Sequence, residues 1–137
     1  MKVKLDEGAY LPTKAHKADA GLDLRAREQK VILPHSSEVF DTGVHIAIPE
    51  GYVGILASKS GLNNNFSLTT EGVIDSGYTG SIRVKVYNFG NHPYMFEKGD
   101  KITQLMIIKL HDDDSLEEVD ELEDTPRGNN GFGSSGR

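Results

Sequence analysis

The segment from Gly72 to Gly80 holds the residue best suited to catalysis in this sequence. It places the carboxylate of Asp75 between an apolar pair, Val73 and Ile74, and a glycine-rich turn, and a strand of alternating character follows. A carboxylate in such a place can orient a water molecule or remove its proton. An aspartate that only caps a turn gives the same pattern more often, so these residues alone leave both interpretations open.

A second segment, from Ala57 to Leu62, carries groups that suit a phosphate. Its backbone amides, the hydroxyl of Ser60 and the ammonium of Lys59 can all contact an anionic ligand. The spacing between glycine and lysine in a Walker loop is missing. The segment therefore indicates an anion site only weakly.

Asp23 begins a predicted strand and is the candidate metal contact. Magnesium keeps several of its waters and takes one or two carboxylates together with substrate phosphates. Asp23 and Asp75 are candidates to act around one ion, but spacing alone does not show that they meet. The five histidines are scattered without the spacing of a metal site, and we predict structural or surface roles for all of them: His16, His35, His45, His92 and His111.

Short strands must position these residues, because alternation of period two recurs along the chain and helical periodicity hardly appears. Turn signals separate the apolar runs, among them Asn63-Asn64-Asn65. The run Ile102–Leu110 is nearly continuous and predicts a strand buried on both faces. The other predicted strands are Val3–Leu5, Leu22–Ala26, Val31–Leu33, Glu38–Phe40, Val44–Ile48, Tyr52–Ala57, Ser67–Thr70 and Ile82–Val86. The pattern predicts an all-β sandwich or barrel.

Composition bounds the class of protein. A chain of 137 residues suits one domain. Cysteine is absent, which excludes disulfides and thiolate metal sites. No apolar run approaches the roughly 20 residues that span a bilayer, and the N-terminus lacks the apolar core of a signal peptide. We therefore expect a cytoplasmic protein without a membrane or nucleic-acid partner.

Charge divides the chain into three parts. Nine of the 21 acidic residues lie between Asp112 and Asp124, a stretch without lysine or arginine, and the rest of the chain carries 12 acids against 15 lysines and arginines. We predict a β domain over residues 1–110, a solvated acidic connector over 111–125 and a glycine-rich tail over 126–137. The tail is a mobile terminus or a lid that caps a nucleotide through Arg127 and Phe132.

Taken together, these segments resemble the trimeric dUTPase family. The family has five motifs in fixed order, and the resemblance extends from about Leu5 to Arg137. A single motif would be weak evidence, whereas five in order are strong. The counterparts here are Ala20–Leu24, Lys59–Leu62, Gly72–Gly80, Lys98–Leu105 and Arg127–Ser134.

The resemblance implies a distorted jelly roll that assembles as a homotrimer, with each active site drawn from all three subunits. It implies hydrolysis of dUTP to dUMP and pyrophosphate with Mg²⁺. Asp75 would activate the water that attacks the α-phosphorus, and Asp23 would hold the magnesium shell through water. An extended connector reaches up to about 45 Å, enough to deliver the lid to a neighbouring subunit.

The resemblance also implies the roles of the binding residues. Main-chain groups at Gly72, Val73 and Ile74 would pair with uracil, and Tyr78 would pack on the deoxyribose. Phosphate contacts would come from Ser60, Gly61 and Gln104 of a second subunit. The lid of a third would use Arg127 at the γ-phosphate and Phe132 on the base, together with Gly133 and Ser134. Three further positions match the family less closely, since Lys59 replaces the usual arginine, Thr69 replaces a frequent asparagine and Arg83 matches a position near the base.

Three alternatives remain at this stage. A dCTP deaminase, alone or bifunctional, shares the fold but needs a glutamate base where this chain has Lys85. A nucleotide-binding regulatory module without catalysis would not need Asp75, Asp23 and the tail together. A purely structural β-sandwich explains the alternating strands but not Phe132 in a glycine-rich terminus.

Overall fold

The computed structural model of the protein describes residues 1–111 and 115–136. Three of the predicted connector acids, Asp112, Asp113 and Asp114, lie outside the described residues, as does Arg137. The last strand ends at Lys109, just before the predicted connector.

The described residues form ten strands and one short helix, which confirms the all-β prediction. In chain order they are β1 (Val3–Leu5), β2 (Leu22–Arg25), β3 (Lys30–Ile32), β4 (Ser36–Asp41), β5 (Val44–Ile46), β6 (Tyr52–Ala57), α1 (Ser60–Phe66), β7 (Leu68–Ile74), β8 (Arg83–Asn88), β9 (Tyr94–Phe96) and β10 (Lys101–Lys109). At seven residues α1 is too short to cross a bilayer, and no helix among the described residues is long and apolar enough to do so.

The strands form one curled antiparallel sheet with two small partners. The six-stranded sheet has the order β2-β10-β6-β7-β8-β4, while β1 pairs with β5 and β3 pairs with β9. Strand β10 therefore lies between β2 and β6, so that Gln104 is opposite both Asp23 and Ala57. This register decides which chemical groups share one end of the sheet.

Alternating side chains fill the core. Val84 and Val86 of β8 are fully buried, whereas Arg83 and Lys85, which alternate with them, face solvent. Phe40 packs edge-on against Phe96 with ring centroids 5.4 Å apart. Burial of each large apolar side chain contributes about 1.5–3 kcal/mol, and this packing holds the sheet that carries the site.

Two elements were not predicted from the sequence. The run Asn63-Asn64-Asn65 was expected to be a turn, but it lies within α1. Asparagine is a weak helix former, and tertiary contacts outweigh that preference here. Leu62 packs against the core, and the Phe66 ring lies 4.9 Å from the ring of Tyr94 in β9, the other unpredicted element.

Two strand predictions were wrong in part. The strand expected to end at Thr70 continues to Ile74, so Gly72, Val73 and Ile74 lie within β7. A Cβ at Gly72 would lie 2.9 Å from Leu56 Cδ1, which explains the glycine. The run Ile102–Leu110 is buried only in its first half, because β2 pairs with β10 no further than Leu105 and leaves Ile108 exposed.

Candidate active site

A loop between β7 and β8 builds the first part of the site. Gly77 turns the chain at φ +83°, a conformation that favours glycine, and the Tyr78 amide donates to the Asp75 carbonyl over 3.3 Å. The loop and the adjoining strand ends enclose a cavity of about 260 Å³, lined by Val73, Ile74, Asp75, Tyr78 and Arg83. Five residues predicted to bind or transform the substrate therefore share one cavity.

The carboxylate of Asp75 is exposed on the wall of this cavity. Within the described part of the chain, no side chain or amide forms a hydrogen bond or ion pair with it. All its lone pairs are thus available to a water molecule, which is what a general base requires. Beside it, the Tyr78 hydroxyl donates to the Ser81 carbonyl over 3.0 Å and leaves its ring half exposed to the cavity.

The strand ladder opens at the same place. Strand β7 pairs with β8 only from Leu68 to Thr70, and the last pair is Thr70 with Val86. Beyond it, residues 71–74 keep β6 as a partner, but none of the described strands pairs with them on the β8 side. Their outward main-chain groups are free to pair with a flat ligand that carries both donors and acceptors.

Asp23 lies in a different environment. It is only 5% exposed. One of its oxygens accepts from the Lys59 ammonium at 2.5 Å and the other from the Lys101 ammonium at 2.7 Å. Burial raises the pKa of this carboxyl, but the bonds and charges of Lys101 and Lys59 outweigh burial and hold the pKa below its usual value of 3.8.

The predicted phosphate contacts surround this cluster. The Gln104 amide donates to the Ser58 carbonyl over 3.1 Å. Ser60 and Gly61 form the exposed first turn of α1, and Lys59 at the N-cap makes no side-chain cap. The first amides of a helix lack partners within it, so these groups are open to an anion.

The tail forms a third, separate part. Its bonds are local, as in the 3.1 Å bond from Arg127 Nε to the Asn130 carbonyl and the 3.0 Å bond from the Ser134 amide to the Gly131 carbonyl. The Phe132 ring is wholly exposed. The tail thus holds the predicted lid groups clear of the sheet.

Comparison with known proteins identifies the family. The sequence model described as dUTPase matches residues 7–136. The deoxyuridine 5'-triphosphate nucleotidohydrolase of Corynebacterium glutamicum is 43% identical over 98% of this chain and 93% of its own length. The chain belongs to the dUTPase family. The mouse member is 40% identical over 98% of this chain and 83% of its own length.

Solved dUTPases confirm the jelly-roll-like fold. The enzyme of Staphylococcus bacteriophage 80alpha, solved with dUPNHPP, superposes with a TM-score of 0.90 at 34% identity and covers 99% of this chain and 98% of its own. A variant of the phage phi11 dUTPase of S. aureus, studied for its coordination of a structural Mg(II) ion, has a TM-score of 0.81 at 31% identity and covers 90% of this chain and 98% of its own.

Within one chain of this dUTPase, the two carboxylates do not meet. The ladder places Asp23 level with Glu71, and Asp75 is four residues farther along the chain. Three strand spacings across and four residues along separate them by roughly 20 Å. Thr69 also lies far from the cavity, six residues before Asp75 in β7, and there it accepts a bond from Asn63.

Asp23 fits magnesium only through water. In the described part of the chain no three acidic or histidine side chains form a metal cluster. Two ammoniums beside Asp23 disfavour a bare divalent cation, but a carboxylate has about four acceptor positions, of which the lysines use two. These residues therefore fit an ion that arrives with phosphate oxygens and its own waters.

Lys101 contacts Asp23, although the sequence did not predict it as a site residue. It lies in the segment Lys98–Leu105, the counterpart of the fourth family motif, in which Gln104 is the predicted binding residue. No spacing links it to Asp23 along the chain. Only the pairing of β10 with β2 brings its ammonium to that carboxylate.

Proposed function

We propose that this chain hydrolyses dUTP to dUMP and pyrophosphate, with Asp75 activating the water that attacks the α-phosphorus. The observation that carries the proposal is the Asp75 carboxylate, which has no bonding partner among the described residues and lies on the wall of a cavity beside an open strand edge. A free carboxylate beside a bound triphosphate can orient water for in-line attack and accept its proton. The relatives named as dUTP nucleotidohydrolases support this choice of substrate.

The open edge of β7 explains selection of the base. Main-chain groups of residues 71–74 alternate donor and acceptor and match the polar edge of uracil. A base that covers these groups without pairing with them loses about 1–3 kcal/mol for each of them. Val73 and Ile74 line the same cavity and limit its size, which disfavours the methyl group of thymine, while Tyr78 packs on the sugar.

The phosphate contacts require more than one chain. Because Asp23 and its neighbours lie roughly 20 Å from Asp75 in one subunit, a complete site needs these groups from another copy. We propose that this assembly is the homotrimer that the family resemblance implies, in which Ser60, Gly61 and Gln104 come from a second subunit. The lid with Arg127, Phe132, Gly133 and Ser134 comes from a third, and residues 111–125 span the distance.

Magnesium would be held by the substrate phosphates, with Asp23 contacting its shell through water. The ion would offset the charge of the triphosphate. Lys59 and Lys101 flank Asp23, so the same corner of the sheet carries both a carboxylate for the hydrated cation and ammoniums for phosphate oxygens.

Pyrophosphate release from dUTP tests the proposal. We expect release from dUTP and not from dTTP, dCTP or UTP, dependence on Mg²⁺, and loss in Asp75→Asn. Glu7→Gln removes one exposed carboxylate elsewhere and serves as the matched control. Absence of release from dUTP contradicts the proposal, and ammonia release from dCTP would identify a deaminase instead.

A further inference from the structure

His45 connects the catalytic loop to the body of the protein. It lies in β5, its side chain is 18% exposed, and both ring nitrogens meet oxygen atoms. Nδ1 lies 2.7 Å from the carbonyl oxygen of Thr79, and Nε2 lies 3.2 Å from Oδ1 of Asp6. Thr79 directly follows Tyr78 in the loop that carries Asp75.

Both hydrogen bonds can form at the same time only when the His45 ring is charged. A carbonyl oxygen and a carboxylate oxygen only accept hydrogen bonds, so each nitrogen of His45 must carry a proton. A neutral ring has a single N–H and loses one of the two bonds. Protonation of His45 therefore determines whether this connection is complete.

The surroundings favour the charged ring. The Thr79 carbonyl and then the Asp6 carboxylate raise the pKa of His45 above its usual 6.5, against the opposing effects of desolvation and the charge of Lys4. Arg27 also faces this group, since its guanidinium lies 3.6 Å from Asp6. Lys2 lines the same shallow groove beside the ring.

The other contacts of the loop do not connect its first half, around Asp75 and Tyr78, to the rest of the protein. The bond from the Tyr78 amide to Asp75 and that from the Tyr78 hydroxyl to Ser81 both lie inside the loop. The ties at Ser81, whose hydroxyl donates to Asp41, and at Ile82 hold its far end. Among the described residues, the His45 contact is the side-chain tie nearest to Asp75 and Tyr78.

We propose that His45 is a positioning residue for this reaction, because its ring bridges Thr79 and Asp6 and so holds Asp75 and Tyr78 where dUTP binds. The inference rests on the proposed function and adds to it. The sign of the pH effect follows from the direction of the shift. The loop is held fully below about pH 6.5, and the hold weakens as pH rises through the higher pKa of the folded protein.

The test compares KM and kcat for dUTP between pH 5.5 and 8.5 in the intact full-length enzyme, in His45→Gln and in His35→Gln. His35 is a matched control, because its single side-chain bond is to Asn91, outside the loop. In the wild type and His35→Gln, KM should rise about two- to tenfold across this range, the worth of one hydrogen bond. In His45→Gln, whose side chain at position 45 cannot be charged, this rise of KM with pH should be absent. In the wild type, kcat should change less than KM over the same range.

A second variant separates position from folding. Asp6→Asn leaves an acceptor for Nε2 but removes its charge, and should move the midpoint of the KM profile to lower pH. Wild-type pH dependence of KM in His45→Gln would overturn the inference. If the enzyme did not hydrolyse dUTP at all, exchange of the Tyr78 to Gly80 amides with solvent would still test it, since protection beyond the intrinsic rate should fall with rising pH only when His45 is present.

Discussion

The Asp23 cluster and the Asp75 loop each contain an aspartate, but the two carboxylates have opposite surroundings. Asp23 is buried in the sheet, and both of its oxygens accept from lysines. The Asp75 carboxylate is exposed at a loop and forms no hydrogen bond or ion pair with any described residue. A carboxylate whose partners are already fixed stabilises and orients its neighbours, whereas one without partners can take part in proton transfer. The fixed partners of Asp23 therefore suit it to stationary electrostatic contacts, whereas Asp75 is suited to proton transfer.

The largest effect should separate activity from stability at Asp75. Asp75→Asn keeps the shape of the side chain but removes its basicity, and we expect kcat for dUTP to fall about 10²- to 10⁴-fold. The melting temperature should stay within about 2 °C, because the side chain has no hydrogen bond or ion pair to lose among the described residues. Stopped-flow or coupled detection of pyrophosphate and calorimetry measure the two quantities. A variant that melts far lower would show that Asp75 is structural.

The opposite result is expected at Asp23. Asp23→Asn leaves two ammoniums without their counter-charge and should lower the free energy of unfolding by about 3 kcal/mol, the lower end for a broken buried pair because the lysines are partly exposed. Urea denaturation measures this change. Adding Lys101→Met to Asp23→Asn should recover part of the loss, and no recovery would mean that the unpaired cation is not the cause.

The Asp23 carboxylate should also affect how the stability of the protein depends on pH in acid. Since the pKa of Asp23 is lowered in the folded protein, its contribution to stability is present above the unfolded pKa of about 3.9. It is lost as pH falls through the lower folded value. The decline in stability below about pH 4 should therefore be less steep in Asp23→Asn than in the wild type.

The smallest of these effects concerns the tail. Phe132→Ala should lower kcat/KM for dUTP about five- to 150-fold, since stacking on a base contributes about 1–3 kcal/mol. The melting temperature should not change, because the ring is wholly exposed. Phe89→Ala removes another exposed ring outside the cavity and should keep full activity. Equal losses in both variants would remove the special role of Phe132.

The sequence predicts a large part of the fold, because the alternation of apolar and polar residues directly indicates where the strands lie. Val84 and Val86 were placed correctly in a strand by pattern alone. The helix over Ser60–Phe66 was missed because asparagine favours turns, and contacts with β9, far away in the sequence, decide otherwise. Strand β9 was missed because it has only three residues and follows Pro93.

In the candidate site, too, residues that are close in sequence could be predicted, whereas contacts made by strand pairing could not. The lining of the cavity is local in sequence, from Val73 to Arg83, and a motif can locate it. The pairs Lys59–Asp23 and Lys101–Asp23 join residues brought together only by the register of β2, β10 and β6. His45 was predicted to be structural or at the surface, since no pattern in the sequence links it to Thr79.

The neighbours of β2 also affect how the chain is made. Strand β2 ends at Arg25, but its partner in the large sheet begins at Lys101. At about 5–20 residues per second, a ribosome needs roughly 4–15 seconds to synthesise the residues between them. During that time Leu22 and Leu24 have no strand to pair with, and the nascent chain exposes an apolar edge. We expect chaperones that bind extended apolar segments to bind the nascent chain at β2.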